Sequence, residues 1–573
     1  MKEFTQLKKN LKKDFSNLKK IKIALLGDTA TQFLNQALKG LGFDNDLNLD
    51  ILEADFNQID RQIFDPSSEL YEFSPEYVIV FQSSHKLINK YNKLTVENQI
   101  NLAETEIDSI SSIYQTIIEK LSAKVIFYNY TEIDDSIFGN FANKTESSFL
   151  FQLRKLNYNL MEFAVKNTNF YICDISSIQN NIGKTNFFQP SIYINTEMVL
   201  SIYSIPYVSS RTIDIINSIE GRLKKCVIID LDNTTWGGII GDDGIENIQI
   251  GSLGIGKAFT EFQYWIKKLK NRGIIVAVCS KNTESVAKTP FESHPEMVLR
   301  LDDISIFIAN WENKADNIRL IQSVLNIGFD SMIFLDDNPF ERNLVRENIP
   351  EICVPELPED PAEYLEHLYF LNLFETNSFS SEDLERTKLY QIEAQRATIQ
   401  KKFTNEVDFL KSLNMLSLIE PFNKFNTPRV AQLSQRSNQF NLRTIRYSEK
   451  DIEVLATSNN HYTFAFSLED KFGENGLICV VILEKKTVTK LFIDTWFMSC
   501  RVLKRGMENF VLNTIVNFAN ENNFSEIEGE FILTSKNEIV KNHYKNLGFK
   551  LSSSNWILNV QEYKMKKNEI KKK

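Results

Sequence analysis

The chain has 573 residues but only six cysteines, and no two stand in a Cys-x-x-Cys pair. That pattern suggests neither a disulfide framework nor a zinc site of the usual spacing. An excess of positive charge is also missing: 65 Lys and Arg against 75 Asp and Glu leave a net charge of −10. A general nucleic-acid binder needs the opposite sign. No apolar run is long enough to span a bilayer. The start is charged rather than signal-like, with Phe4, Leu7, Leu11, Phe15 and Leu18 at helical spacing. A soluble, cytoplasmic protein without membrane or nucleic-acid partners is expected, of three or so domains. The Lys-rich ends read as solvated helix faces and, at Lys571–Lys573, a frayed tail.

What is present is concentrated in a few short blocks. Cys226–Gly238 reads CVIIDLDNTTWGG. Its β-branched start predicts a buried parallel strand, and open α/β sheets place ligands at the carboxyl ends of such strands. Asp230 and Asp232 so close together repel, and a hard divalent cation such as Mg²⁺ relieves this. Asp230 then suits a nucleophile attacking phosphorus, and Asp232 a general acid and base. A Mg²⁺ or nucleotide site without covalent chemistry, or a solvated loop, would read the same way. Ile274–Asn282 (IIVAVCSKN) and Met332–Asn338 (MIFLDDN) are further buried-strand runs ending in polar groups. Between them, Lys314 precedes a helical pattern of Ile318, Ile321 and Leu325.

Asp-x-Asp-x-Thr, then Ser, then Lys, then Asp-Asp in this order resembles the signature of haloacid dehalogenase-type phosphatases. The resemblance implies that Ser280 holds a phosphoryl oxygen and that Lys314 offsets charge on the phosphoryl group and Asp230. It also implies Asp336 and Asp337 as completing a Mg²⁺ site with Asp230 and Asp232, and Thr234 and Asn282 as substrate-binding. DLDNTTWGGIIGDDG, AVCSKN, FESHPEMVLRLDD, NWENKADNI, FLDDNPFER and VPELPEDP together resemble the FkbH-like branch over roughly residues 220 to 550. Thr235 stands where that family usually carries an apolar residue.

Alternating strand and helix patterns predict a multidomain α/β chain. Residues 1–215 read as a doubly wound SGNH-like or flavodoxin-like domain, with strands at Ile21–Leu26, Tyr77–Phe81 and Val125–Tyr128. Gly27-Asp28-Thr29 resembles the Gly-Asp-Ser block of SGNH esterases with Thr29 replacing the serine. No Asp-x-x-His block follows and His85 stands alone, so a docking or vestigial domain is expected rather than an active esterase. Residues 222–360 form the Rossmann-like phosphatase core, with no room for a large cap, and a Pro-rich stretch from Val354 to Pro361 ends it. After a helical connector, residues 375–565 resemble a GNAT-like α+β acyltransferase. Its predicted order is a strand at Leu491–Met498, an Arg/Gly loop, a helix at Met507–Phe518 and a strand at Ile527–Leu533. Arg501, Arg505 and Gly506 of the loop, with Tyr544 of the Tyr-x-x-Leu-Gly-Phe ending, are expected to hold coenzyme A or a phosphopantetheine arm. Lys504 replaces a loop glycine. The block Ser434–Leu442 also matches FkbH-like proteins, without a role that first principles supply.

The resemblance implies an enzyme that takes the glyceryl unit of 1,3-bisphosphoglycerate, releases phosphate, and delivers the acyl group through a cysteine to an acyl carrier protein. Cys500 is the expected acyl carrier, since Arg501 and a helix N-terminus beside it would favour thiolate. Cys279, pointing away from Ser280 by strand alternation, and Cys226 are expected to pack in the core. A plain Mg²⁺ phosphatase with an idle GNAT-like module, or a non-enzymatic docking scaffold, are the alternatives.

Overall fold

The computed structural model describes residues 2–400, 402–534 and 536–573, the side chains of 381, 382, 397 and 398 excepted. The chain divides into two compact units, residues 1–217 and 218–573. In the first, β1 (Lys19–Gly27), β2 (Leu47–Glu53), β3 (Tyr77–Phe81), β4 (Lys124–Tyr128) and β5 (Phe170–Cys173) form one parallel sheet in the order β2-β1-β3-β4-β5. This is the doubly wound, flavodoxin-like order. Every residue of β3 is buried, as a parallel strand covered on both faces requires. Helix Leu102–Leu121 lays Ile110, Ile113, Tyr114 and Ile117 on that sheet at three- and four-residue spacing. The leading helix is shorter than its apolar spacing predicts. It ends at Asn10, whose side chain donates to the Gly40 carbonyl at 2.9 Å, and Ser16 N–H then closes a turn on Asp14 at 2.9 Å.

The second unit holds two sheets. The first comprises β6 (Cys226–Ile229), β7 (Ile275–Ser280), β8 (Ile306–Ala309) and β9 (Met332–Leu335), all parallel in the order β8-β7-β6-β9. Period-2 alternation divides its side chains between two apolar layers. Val227, Ile229, Val276, Val278, Ile333 and Leu335 meet helix Gly256–Asn271 through Phe262 and Ile266. Cys226, Ile228, Cys279 and Phe334 meet helix Lys314–Leu325 through Ile318, Ile321 and Leu325. Cys226 and Cys279 are thus core residues, as expected. Each fully buried aliphatic side chain contributes on the order of 1.5–3 kcal/mol.

The second sheet runs β10 (Leu416–Glu420), β11 (His461–Asp470), β12 (Gly473–Lys485), β13 (Lys490–Met498), β14 (Glu526–Gly529), β15 (Lys550–Ser552), β16 (Asn555–Asn559) and β17 (Lys571–Lys572). Its spatial order is β15-β16-β14-β13-β12-β11-β10-β17, antiparallel except at β13–β14 and β10–β17. Helix Met507–Glu521 joins β13 to β14 and covers the sheet, so the strand–loop–helix–strand order expected of the GNAT-like part is present. Two details differ. The chain leaves β14 at Gly529, four residues early: a Cβ there would stand 2.5 Å from the Tyr544 ring, and Ile532 N–H turns to the Leu442 carbonyl at 2.9 Å. The terminal lysines are not frayed, because Lys571 and Lys572 pair with β10 and Lys573 N–H donates to Ser417 O at 2.9 Å. Tyr390, from connector helix Arg386–Gln400, is buried in the layer of the first sheet that holds Phe334.

Candidate active site

Strand register assembles the site. Ile229 pairs with Leu335, so Asp230 and Asp336 leave neighbouring strands side by side at the carboxyl edge of the first sheet. Ile229 also pairs with Val278, which brings Ser280 to the same edge. Asp230, Asp336 and Asp337 each offer an oxygen within 4.8 Å of the others. Lys314 opens its helix behind the N-cap Asn313, whose side chain accepts from Ala315 N–H. Its Nζ lies 2.6 Å from Asp336 Oδ2 and 3.1 Å from Asp230 Oδ2, and the side chain is 3% exposed.

One lysine does not balance three carboxylates. Burial, then the charge of Asp230, pushes Asp336 up to about 7 and raises Asp337 by the same causes. Burial opposes the charge on Lys314, but Asp230 and Asp336 outweigh it and hold the ammonium above its ordinary value. Asp230 Oδ1 is buried without a hydrogen-bond partner. An all-oxygen donor set with surplus negative charge and an orphaned buried oxygen fits a hard divalent cation.

The supporting hydrogen bonds fix the carboxylates. Thr234 Oγ1 donates to Asp337 Oδ1 at 3.1 Å and accepts from Asp337 N–H at 3.0 Å. Thr235 is buried, and its hydroxyl donates to the Asp230 carbonyl at 2.6 Å, so a polar residue is satisfied at that apolar position. Asp232 needs correction as a carboxylate ligand, because its side chain lies outside the three-carboxylate group among the described residues. The chain turns at Leu231, and the Asp232 carboxylate instead accepts from Trp236 Nε1 (3.0 Å), Ile240 N–H (3.0 Å) and Asn282 Nδ2 (3.1 Å). Burial raises its pKa. Asn282 is therefore held against Asp232. Sequence reasoning missed Arg342, whose Nη1 donates to the carbonyls of Asp336 (2.8 Å) and Asp337 (2.6 Å). Its signal was the FLDDNPFER block, where Asn338 caps a helix with Arg342 one turn on.

The C-terminal loop is arranged otherwise than expected. Cys500 begins a three-residue 3-10 turn, and the α-helix starts only at Met507, behind Gly506 at φ +79°. The thiol is half-buried, its Sγ 3.8 Å from Tyr390 Oη, and it packs on the layer of the first sheet that holds Cys226 and Phe334. It does not sit at the N-terminus of the helix. Arg505 is no free anion-binding hand: it is buried, with Nη2 2.6 Å from Glu393 and Nη1 3.3 Å from Asp470. Arg501 is buried as well, with Nη2 3.3 Å from the Asn475 carbonyl and Nη1 unpartnered. Lys504 adopts φ +65°, the conformation the replaced glycine takes without cost. Tyr544 is 1% exposed and serves the core of the second sheet.

In the first unit, Thr29 is fully buried and Thr29 Oγ1 has no partner, so no hydrogen bond joins it to His85. His85 stacks on Phe188 at 4.1 Å, and burial lowers its pKa to about 4. Asp28 accepts from Ser83 N–H at 2.8 Å and is raised to about 7 by burial. Thr29 and His85 thus form no hydrogen-bonded nucleophile–base pair. No helix of the described residues is long and apolar enough to cross a membrane.

The family model described as "FkbH, N-terminal domain" matches residues 22–217. The crystal structure of the N-terminal part of a Bacteroides fragilis protein, containing a phosphatase domain and complexed with Mg, is 57% identical with a TM-score of 0.64. The match covers 66% of this chain and 100% of that one. Ribosomal-protein-S18-alanine N-acetyltransferase from Escherichia coli is 12% identical with a TM-score of 0.21, over 25% of this chain and 94% of that one. Spermidine N-acetyltransferase from Vibrio cholerae, in complex with CoA and spermine, is 13% identical with a TM-score of 0.21, over 26% and 97%. Nothing about this chain's chemistry follows from likeness at that level. Comparison with curated proteins returned no match. Covering the whole of the Bacteroides protein's phosphatase-containing part at 57% identity, and matched in its first unit by the FkbH model, the chain belongs to the FkbH-like family.

Proposed function

We propose that the carboxyl-edge site is a Mg²⁺-dependent phosphohydrolase site and that its substrate also carries an acyl group destined for a carrier thiol. The carrying observation is the Asp230–Asp336–Asp337 cluster with its orphaned Asp230 Oδ1. These three residues would hold Mg²⁺, which supplies charge neutralisation and polarises a phosphoryl oxygen. The Bacteroides relative's complex with Mg supports the choice of ion.

Asp230 then attacks phosphorus. The aspartyl O–P bond forms as the P–O bond to the leaving oxygen breaks, and Asp232, raised by burial, gives that oxygen a proton. Asp232 next takes a proton from water, which attacks the aspartyl-phosphate, frees phosphate and restores Asp230. Lys314 offsets the phosphoryl charge, and Ser280, Thr234 and Asn282 orient the phosphoryl oxygens or the acid.

Attack at the phosphorus of an acyl phosphate would leave a bare carboxylate and discard its activation. The phosphorus attacked by Asp230 is therefore that of a phosphomonoester, while the acyl carbon is attacked by a thiol with loss of a second phosphate. 1,3-Bisphosphoglycerate carries both groups, and acyl carrier protein supplies the thiol in the reading we favour. Access supports it. Between Asp230 and Ser280 the chain places only helices Ile240–Asp243 and Gly256–Asn271, no cap. Beyond the carboxyl ends of β6, β8 and β9, two loops and the first turn of helix Pro339–Asn348 present Ile239, Trp311 and Phe340 at 45%, 74% and 67% exposure, apolar groups that a carrier protein can cover.

A stand-alone phosphatase of a small metabolite is the second reading, favoured by the cysteines. Cys279 nears the carboxylates, but it is fully buried and burial pushes its thiol up. Cys500 is remote. The decisive experiment supplies Mg²⁺, 1,3-bisphosphoglycerate and a phosphopantetheinylated carrier, then reads phosphate release and carrier mass. Asp230→Asn is expected to lower release of the phosphomonoester phosphate at least a thousandfold, while the phosphate lost on acyl transfer to the thiol still leaves. Undiminished release would end the proposal, and release without a glyceryl adduct on any carrier tested would leave the second reading.

A further inference from the structure

The amino edge of the same sheet carries a second charged cleft. Lys224 and Lys225 lead into β6, Arg272 precedes β7, Arg386 opens helix Arg386–Gln400, and Arg436 closes helix Thr427–Arg436. With one lining carboxylate, Glu375, they border a small cleft of about 20 Å³ that opens to solvent. Lys225 Nζ donates to the Arg436 carbonyl at 2.7 Å and Arg272 Nη2 to the Phe374 carbonyl at 2.6 Å, so both walls are held in place.

The charge there is not balanced by the protein. Asp383 pairs with Arg436 and, at 3.6 Å, with Arg386, while Asp330 pairs with Lys536. Six cations (Lys224, Lys225, Arg272, Arg386, Arg436, Lys536) thus meet three carboxylates (Asp330, Glu375, Asp383). Burial, reinforced by Arg386 and Lys536, brings Lys225 down to about 8, and burial, then Arg386, brings Arg436 down to about 9. Buried cations in surplus are unfavourable unless an anion joins them. The Arg436 side chain is only 9% exposed, and its Nε has no hydrogen-bond partner. Asn377 Nδ2, beside lining residue Thr376, is likewise buried and unpartnered.

We propose that this cleft binds a phosphoryl group, as free phosphate or as the phosphate of a small phosphomonoester. The Arg436 and Arg386 guanidiniums also donate to Ser378 O and Gly273 O. What converges on the cleft is therefore single remaining N–H groups from separate elements with two ammonium groups, which suit a tetrahedral dianion better than a planar carboxylate. The site is distinct from the catalytic one. Lys225 and Asp230 flank the four residues of β6, on the order of 16 Å apart at about 3.3 Å per extended residue. The proposal also gives the block Ser434–Leu442 a role. Arg436 faces the cleft, and two residues on Asn438 Nδ2 donates to Gly221 O at 2.7 Å, anchoring the block just ahead of β6.

The test uses the full chain stripped of divalent metal, where the catalytic carboxylates repel anions. Inorganic phosphate, glycerol phosphate and acetate are titrated by calorimetry and thermal melting. Saturable phosphate binding with a rise in melting temperature is expected, with acetate at least tenfold weaker. Arg436→Gln is expected to weaken phosphate binding at least tenfold. If that variant does not fold, Arg272→Gln on the other wall is expected to show the same loss. Glycerol phosphate binding as tightly as phosphate identifies a phosphomonoester ligand, and a clear preference for phosphate identifies the free ion. Absence of saturable binding, equal binding of acetate, or undiminished binding by the folded variants would overturn the proposal.

Discussion

Asn326 Nδ2 donates to the Cys500 carbonyl at 2.7 Å, which fixes the Cys500 turn to the far end of the helix that Lys314 begins. That helix spans Lys314–Leu325, about 18 Å at 1.5 Å per residue, so Cys500 stands well away from the carboxylate cluster. Cys500→Ser is therefore expected to keep phosphate release within about twofold of the original. Peptide mapping after exposure to an acyl phosphate gives the other half of the test. An adduct on Cys500 would require the C-terminal part to move, and an adduct on Cys279 would require the core to open.

Lys314→Met removes the cation shared by Asp230 and Asp336 and leaves two buried carboxylates facing each other. Loss of one partner from such a pair costs about 3–5 kcal/mol. Denaturant melts without metal should show that loss, and added Mg²⁺ should restore a good part of it. A variant as stable as the original without metal would show that the lysine does not hold the cluster together.

Arg505 belongs to a buried network with Glu393, Asp470 and Arg396, in which Arg396 Nη2 lies 2.8 Å from Asp470. Arg505→Ala should destabilise the second unit by about 3–5 kcal/mol. Calorimetry with coenzyme A should give the same result as for the original chain wherever the variant remains folded. A selective loss of coenzyme A binding with unchanged stability would return the arginine to the ligand-binding role its sequence position suggested.

His543 is buried edge-on to Trp496 at 4.5 Å, and burial lowers its pKa to about 3. The unfolded chain takes up a proton near pH 6.5 that the folded one refuses, so the stability is complete above that pH and declines as pH falls towards 3. The slope is about 1.4 kcal/mol per pH unit. Urea melts between pH 5 and 7 should show a shallower decline in His543→Leu than in the original chain.

These cases mark where local sequence stops being informative. The apolar runs Cys226–Ile229 and Met332–Leu335 contain no polar residue, so the strands and the carboxylates ending them were legible without a partner in view. The helix of Lys314 was legible from Ile318, Ile321 and Leu325. By contrast, the direction of the Asp232 carboxylate depends on Asn282, fifty residues on, and the engagement of Arg505 depends on Glu393. β14 stops where Tyr544 fills the space beside Gly529, a contact that no neighbour in sequence announces. Charge next to glycine in a loop suggests an anion site equally well whether or not a distant carboxylate has already claimed the charge.

The apolar strand β6, with acid at one end and base at the other, also acts as an insulator. Across on the order of 16 Å, at an effective dielectric near 20, two unit charges interact by about 1 kcal/mol. A cation at the carboxyl edge and an anion at the amino edge would thus attract through the sheet. Each would favour the other's binding by roughly fivefold per charge pair without any atom moving.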